Sequence, residues 1–486
     1  MADPANGARS RLIPAVAGPL ASIVVLLAPT GSLAGGAKTV AAIIVWMAIW
    51  WVTEAVPLAV TSLLPLVLLP ALGLRSVEDV GPNYGNHMVF LFLGGFVLAL
   101  AVERSALHRR VALRALVLFG GSARRQVWGF LAVTAILSMW LSNTATTLMM
   151  LPIAAGVATR LPEGPARSRL MLAVAYGASI GGLGTLVGTP PNLVLAGMAR
   201  EIVDGLPAIG FGQWMLFGIP FVLLMLPAAA VFLGRGLGSV ETGGDEAVRS
   251  ELAELGPMTP FERRAGILFV LTALAWITRA GMHFGDFHVP GWSSLLPDPG
   301  AVKDSVPAVA AAILAALIPR GGGDRRALVA WDEIRHGVPW GVLLLFGGGF
   351  ALADAVHASG LDRWLAGNLD GLGALPLPLT ILSIAVVAMV ATEFTSNTAT
   401  ATLLVPVMAA VAEAIHVPPY LVMVPAVVAC SCAFMLPVAT PPNAIVIGSG
   451  YVTARELFTE GIRLNLFSAV LITVLVLTLG RLVLPM

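Results

Sequence analysis

Charge is scarce in this chain. Asp, Glu, Lys and Arg make up 11% of its 486 residues, against about 25% in an average soluble domain. Lysine occurs twice, as Lys38 and Lys303, and cysteine twice, as Cys430 and Cys432. With 57% of the residues apolar, so few charged groups cannot provide the polar skin of a soluble fold this long. A net charge of +1 gives no basic field for a phosphate backbone, which excludes a nucleic-acid partner. The two cysteines share one apolar run with no His or carboxylate beside them, so neither a disulfide framework nor a metal site follows. The seven histidines fall at the ends of apolar runs or in loops, and none is spaced to pair with a nucleophile or a metal. A membrane enzyme would need such a pair, so no enzyme is expected. The solvent for most of the chain is lipid.

A crossing helix needs roughly 20 mostly apolar residues. Eleven runs qualify as candidate spans, near 12–29, 39–56, 57–72, 88–102, 169–200, 213–234, 264–281, 305–319, 339–357, 418–448 and 464–483. Two further stretches, 126–160 and 376–416, are each long enough for two helices but carry a polar cluster in the middle. The N-terminal segment with Arg9 and Arg11 lacks a small-residue cleavage site, so no removed signal peptide is expected. If that segment is cytoplasmic and the spans alternate, 21 of the 28 Lys and Arg lie inside. Lys38, Arg75, Arg200, Arg279, Lys303, Arg363 and Arg481 lie outside. This bias predicts an N-terminus inside and a C-terminus outside; the expected setting is a bacterial inner membrane.

The chain repeats itself. An offset of 254 carries Phe92, Gly94, Gly95 and Phe96 onto Phe346, Gly348, Gly349 and Phe350, and Ser142-Asn143-Thr144-Ala145-Thr146 onto Ser396-Asn397-Thr398-Ala399-Thr400. An offset of 251 carries Thr189-Pro190-Pro191-Asn192 onto Thr440-Pro441-Pro442-Asn443. Five spans separate equivalent points, so the repeats are inverted, as in many secondary transporters. The expected halves are 1–234 and 264–486, joined by a polar cytoplasmic linker at 235–263.

The repeated segments are the polar ones, which packing in lipid would not favour. Ser142-Asn143-Thr144 sits between two apolar runs too short to span singly, and Thr395–Thr402 does the same in the second half. A helical hairpin that enters and turns back fits each. The helix after each tip then starts with capping residues, and its free N–H groups and positive dipole end favour an anion. The Gly-rich run before Pro190 and the Pro437–Asn443 segment each break a span into half-helices. Their unwound carbonyls, with nearby Ser, Thr and Asn oxygens, suit Na⁺. Glu54, in Thr53-Glu54-Ala55-Val56-Pro57, is expected to cap backbone N–H groups. Glu393 either tunes cation binding or points to solvent. The amphipathic stretches near 103–124 and 358–373 are expected at the membrane interface.

These residues resemble the divalent anion:sodium symporter family. The run Cys430–Val446 is similar to the family's sodium:sulfate symporter signature along its length, and Thr53–Pro57 resembles a further family motif. The resemblance implies an all-α polytopic membrane protein with about eleven spans and two re-entrant hairpins. It also implies a homodimer in the lipid bilayer and elevator-type alternating access. One Na⁺ would be held by Ser138, Ser142, Asn143 and Gly188, the other by Thr392, Thr395, Asn397 and Ala439. The divalent anion would be held by Ser142, Asn143, Thr144, Ser396, Asn397 and Thr398, with Thr189, Pro190, Thr440 and Pro441 closing the pocket. Exchangers of the family tend to carry a basic residue just after Ser-Asn-Thr, whereas this chain has Ala145-Thr146 and Ala399-Thr400. A dianion without a fixed counter-charge needs cations in low dielectric, so Na⁺ symport is expected over exchange or proton coupling. The expected substrates are C4-dicarboxylates such as succinate, fumarate and malate. Sulfate or citrate import and dicarboxylate exchange are the alternatives.

Overall fold

The computed structural model describes residues 4–29, 33–161, 164–237, 244–284, 287–368 and 375–485. Prolines and polar caps cut the apolar runs into helices. In chain order these are α1 (Pro4–Leu27), α2 (Gly35–Thr53), α3 (Leu58–Thr61), α4 (Leu64–Ala71), α5 (Val77–Tyr84), α6 (His87–Arg104), α7 (Leu107–Val117) and α8 (Ala123–Ser138). Next come α9 (Asn143–Ala158), α10 (Pro165–Gly182), α11 (Pro190–Ile202), α12 (Phe211–Gly234), α13 (Gly244–Glu254), α14 (Pro260–Ile277), α15 (Ser305–Leu317) and α16 (Trp331–Gly337). The last are α17 (Trp340–Ser359), α18 (Leu361–Asn368), α19 (Leu377–Phe394), α20 (Asn397–Ala414), α21 (Tyr420–Cys430), α22 (Pro441–Gly448) and α23 (Ala454–Leu475). Among the described residues, seven helical stretches are long and apolar enough to cross a membrane.

Both polar-centred stretches fold as helix–turn–helix pairs, α8–α9 turning at 139–142 and α19–α20 at Thr395–Ser396. Both broken runs are broken where Gly and Pro demanded, α10 from α11 and α21 from α22. A Pro-Pro pair opens α11 and α22, where a missing N–H costs nothing. These broken helices lie at the centre. Leu170–Gly182 of α10 and every residue of α21 are buried. The hairpin arms α8 and α19 pack on α10 and α21, while α9 touches α22 and α20 touches α11. Material from both halves therefore surrounds the same core. The rings of Phe92 and Phe346, equivalent in the repeat, stack on each other with centroids 4.0 Å apart.

Two sequence expectations need correction. The run at 57–72 is two short helices, α3 and α4, parted at Ser62–Leu63 just before Pro65, which cannot supply the N–H that would carry α3 on. Glu54 does not cap N–H groups: it ends α2 in the left-handed region (φ 47°), exposed, with no side-chain hydrogen bond among the described residues. The 235–263 stretch holds α13 and the start of α14; residues 238–243 lie outside the described residues. Two small antiparallel hairpins, Met282–Phe284 with Phe287–Val289 and Pro319–Gly321 with Asp324–Ala327, interrupt an otherwise helical chain. Of the second amphipathic stretch, 358–373, the described part forms α18, and 369–373 lie outside the described residues.

Candidate functional site

The first hairpin tip is set by a cap. Ser142 takes an extended backbone, and its Oγ accepts the Ala145 N–H at 3.2 Å, which starts α9 and leaves Asn143 in its first turn. Ser138, at the end of α8, donates from Oγ to Asn143 Oδ1 at 2.8 Å. The second tip repeats the contact: Thr392 Oγ1 lies 2.6 Å from Asn397 Oδ1 and 2.8 Å from the Cys430 carbonyl, and its single hydrogen is shared between the two oxygens. Ser396 makes no side-chain cap. The Thr395 hydroxyl is turned back to the Ala391 carbonyl, 2.8 Å away, and to Thr400.

The breaks repeat as faithfully. Asn192 Nδ2 donates to the carbonyls of Gly182 (3.1 Å) and Thr185 (2.8 Å). Asn443 Nδ2 donates to those of Ala433 (3.1 Å) and Leu436 (3.0 Å), the positions 251 residues on. Each Asn thus ties off the carbonyls that the break frees from a helix ladder. Sequence reading singled out both asparagines but missed this role; applying the 251 offset to Gly182 and Thr185 would have shown the shared frame.

Break and tip meet at Gly182. A Cβ there would lie 2.7 Å from Asn143 Oδ1 and 3.1 Å from the Gly188 carbonyl oxygen. Two oxygens therefore close on Gly182 in a tight cradle that only a glycine fits, with Ser138 behind one of them. In the second half the equivalent positions are Ala433 and Ala439, so a methyl group occupies that space. Thr189 is buried and Pro190 half-buried; Thr440 is buried and its Oγ1 accepts the Asn443 N–H at 3.3 Å, while Pro441 is exposed. Ser142 is exposed, and Asn143, Thr144, Ser396, Asn397 and Thr398 are half-buried. Asn143 Nδ2, Asn397 Nδ2 and the hydroxyls of Thr144 and Thr398 have no hydrogen-bond partner among the described residues. Four helices, α9, α11, α20 and α22, start at these four polar segments. No cluster of three His, Cys, Asp or Glu suited to a metal occurs among the described residues.

Glu393 is where sequence reading fell short. It does not point to solvent: its carboxylate is fully buried and accepts the N–H groups of Met435 (3.0 Å) and Leu436 (2.9 Å) and Asn465 Nδ2 (2.9 Å). The first half makes the same tie with other atoms, the Thr185 hydroxyl donating to the carbonyl of Met139.

Residues 10–486 match the family described as the sodium:sulfate symporter transmembrane region. The chain belongs to this family. Family and relatives are transporters, and this protein is not an enzyme. The sodium-dependent dicarboxylate transporter SdcS of Staphylococcus saprophyticus is 39% identical over 483 residues, covering 96% of this chain and 91% of that protein. SdcS of Staphylococcus aureus (strain NCTC 8325) is 40% identical over 453 residues, covering 90% and 85%. Among solved structures, the YdaH transporter of Alcanivorax borkumensis aligns with a TM-score of 0.60 at 18% identity, over 90% of this chain and 98% of that one. MtrF of Neisseria gonorrhoeae, titled as illuminating a class of antimetabolite efflux pumps, aligns with a TM-score of 0.57 at 12% identity, over 96% and 94%. These two likenesses speak for the fold of this symporter-family member alone.

Proposed function

We propose that this protein is a Na⁺-coupled symporter of C4-dicarboxylates in a bacterial inner membrane, working as a homodimer by an elevator movement. The observation that carries the reading is the tight cradle at Gly182, where Asn143 Oδ1 and the Gly188 carbonyl converge beside a helix N-terminus. Neutral oxygens in that arrangement suit a hard cation, and the first turns of α9 and α20 suit an anion. With Ala145 and Ala399 after the tips, no fixed cation neutralises a dianion there, so Na⁺ entering with it does. Ser138, Ser142, Asn143 and Gly188 would hold one Na⁺; Thr392, Thr395, Asn397 and Ala439 the other. Free amide and hydroxyl groups of Asn143, Thr144, Asn397 and Thr398, with Ser142 and Ser396, would take the carboxylates against Thr189, Pro190, Thr440 and Pro441.

The two helix pairs α8–α9 and α19–α20 act as re-entrant hairpins in this reading, within halves 1–234 and 264–486 joined by 235–263. The N-terminus lies inside and the C-terminus outside. Ion pairing supports the alternation: Arg109–Glu251, Arg110–Glu262, Arg169–Glu460 and Arg320–Glu333 join residues assigned inside, and Arg75–Asp354 and Arg279–Asp304 join residues at outer ends.

Uptake of labelled succinate into liposomes tests the reading, with an inward Na⁺ gradient and with choline in its place. Na⁺-dependent uptake that is lost in Asn143→Ala and in Asn397→Ala is expected. Uptake without Na⁺ that requires internal dicarboxylate would make the protein an exchanger.

A further inference from the structure

A cavity of about 350 Å³ lies away from the hairpin tips. It is lined by His87 at the start of α6, Arg200 near the end of α11, Phe211 at the start of α12, and Arg279, Lys303 and Asp304 between α14 and α15. In the proposed orientation all of these are outer ends. Three of the seven basic residues assigned outside thus come together here.

The acidic groups nearby are already engaged. One Asp304 oxygen takes Arg279 Nε, and the other accepts the Phe211 N–H at 3.1 Å. Arg279 also donates from Nη1 to the Val302 carbonyl at 2.8 Å. Glu201, beside Arg200, is turned to Asn86, whose Nδ2 donates to it at 3.2 Å. Arg200 and Lys303 have no carboxylate partner among the described residues. Arg279 already neutralises the one lining carboxylate, Asp304, so Arg200 and Lys303 share the cavity with no counter-charge of their own and repel each other, and a divalent anion between them relieves this. The volume is at the lower end for a small-molecule site. Arg200 sits near the far end of the 13-residue α11, whose first turn carries Pro190. At about 1.5 Å per residue Pro190 and Arg200 are roughly 15 Å apart along the helix, too far for one small anion to touch both.

We infer that this cavity is a second, outer anion site that binds a small soluble dicarboxylate through Arg200 and Lys303, independently of Na⁺, and concentrates it at the entrance. The identity of the anion and the outer position of the cavity rest on the proposed function. Focusing of this kind raises capture rates and fades with salt.

The test uses the full chain in zwitterionic nanodiscs, with labelled succinate in choline buffer free of Na⁺. Weak binding is expected that persists in Asn143→Ala/Asn397→Ala and falls at least about tenfold in Arg200→Gln/Lys303→Gln. In liposomes the charge variant should raise KM several-fold at low ionic strength, with the difference closing in high salt. Na⁺-free binding that is absent, that is lost with the tip asparagines, or that ignores the charge variant would overturn the site. So would its disappearance in phosphatidylglycerol nanodiscs, which would assign the cavity to a lipid phosphate. Wild-type protein that binds succinate this way yet shows no Na⁺-driven uptake would sink the symporter reading and leave the outer site standing.

Discussion

Glu393 shows how one side chain can replace a backbone device. Where the first half uses the Met139 carbonyl and the Thr185 hydroxyl to hold the break against the hairpin tip, the second uses a carboxylate and two N–H groups. All three neighbours of Glu393 are donors, which suits an ionised acceptor. Glu393→Gln keeps the shape but turns an amide NH₂ toward a donor. Each stranded donor costs about 1–3 kcal/mol, so the purified variant should unfold at a lower temperature than wild type. An unchanged melting curve would mean the bonds to Met435 and Leu436 hold nothing. Gly182 makes a complementary case. The methyl group of Gly182→Ala would fall 2.7 Å from Asn143 Oδ1, inside any real contact, and fill the cradle. The half-saturating Na⁺ concentration for uptake should rise about tenfold, equivalent to about 1.4 kcal/mol. The reciprocal Ala433→Gly, which opens space in the other half, should shift it far less. Equal shifts would remove Gly182 from the cation site.

At the scale of elements, α14 depends on a charged clamp before its span. Thr259 and Glu262 form a capping box, and Glu262 also holds Arg110 of α7 at 2.6 Å, with both side chains buried. Arg110 in turn donates to the carbonyls of Leu255, Gly256 and Pro257, which fastens the end of the linker to α7. Burial pushes the Glu262 carboxyl up, but the Arg110 guanidinium and the Thr259 donors outweigh it and hold it below its ordinary value of 4.5. A carboxyl with a depressed folded-state pKa contributes stability above the unfolded value and loses it as pH falls through the folded one. Glu262→Gln should therefore cost about 3–5 kcal/mol near neutrality, and the gap to wild type should narrow as pH drops below about 4.5. A gap independent of pH would show the clamp to be packing alone. The hairpins and broken helices were legible in sequence because Ser, Asn, Gly and Pro inside apolar runs have few other uses. The Glu262 clamp was not, since its partner lies 152 residues away and no local pattern records it. The same holds for Glu393, whose donors come from the break and from α23. The run at 57–72 was misread because apolar length does not reveal that the chain will break ahead of Pro65.

For the whole molecule, the two halves are alike in bonding but not in surroundings. Val187, in the first break, packs on α6 at Gly95. Its equivalent in the second break, Val438, is 75% exposed, while Gly349 of α17 rests instead on Thr402 and Met198. Inverted repeats caught in one state should differ in this manner, and an elevator would exchange the two environments. In the other state Gly349 should meet Val438, and Gly95 should lose Val187. The geometry permits a direct test. A Cβ on Gly95 lies 3.8 Å from the Val187 Cβ, within the roughly 3.5–4.5 Å of a disulfide. Cys430 and Cys432 are buried and free, so they leave the background silent. Gly95→Cys/Val187→Cys should cross-link readily, abolish uptake, and recover it on reduction. Gly349→Cys meets Thr402 at 2.8 Å in the arrangement described, which pushes Gly349→Cys/Val438→Cys toward the other state. That second pair should therefore also cross-link and block uptake. If only the first pair ever forms a bond, whatever Na⁺ and succinate are present, the breaks do not travel past α6 and α17, and transport must proceed without an elevator.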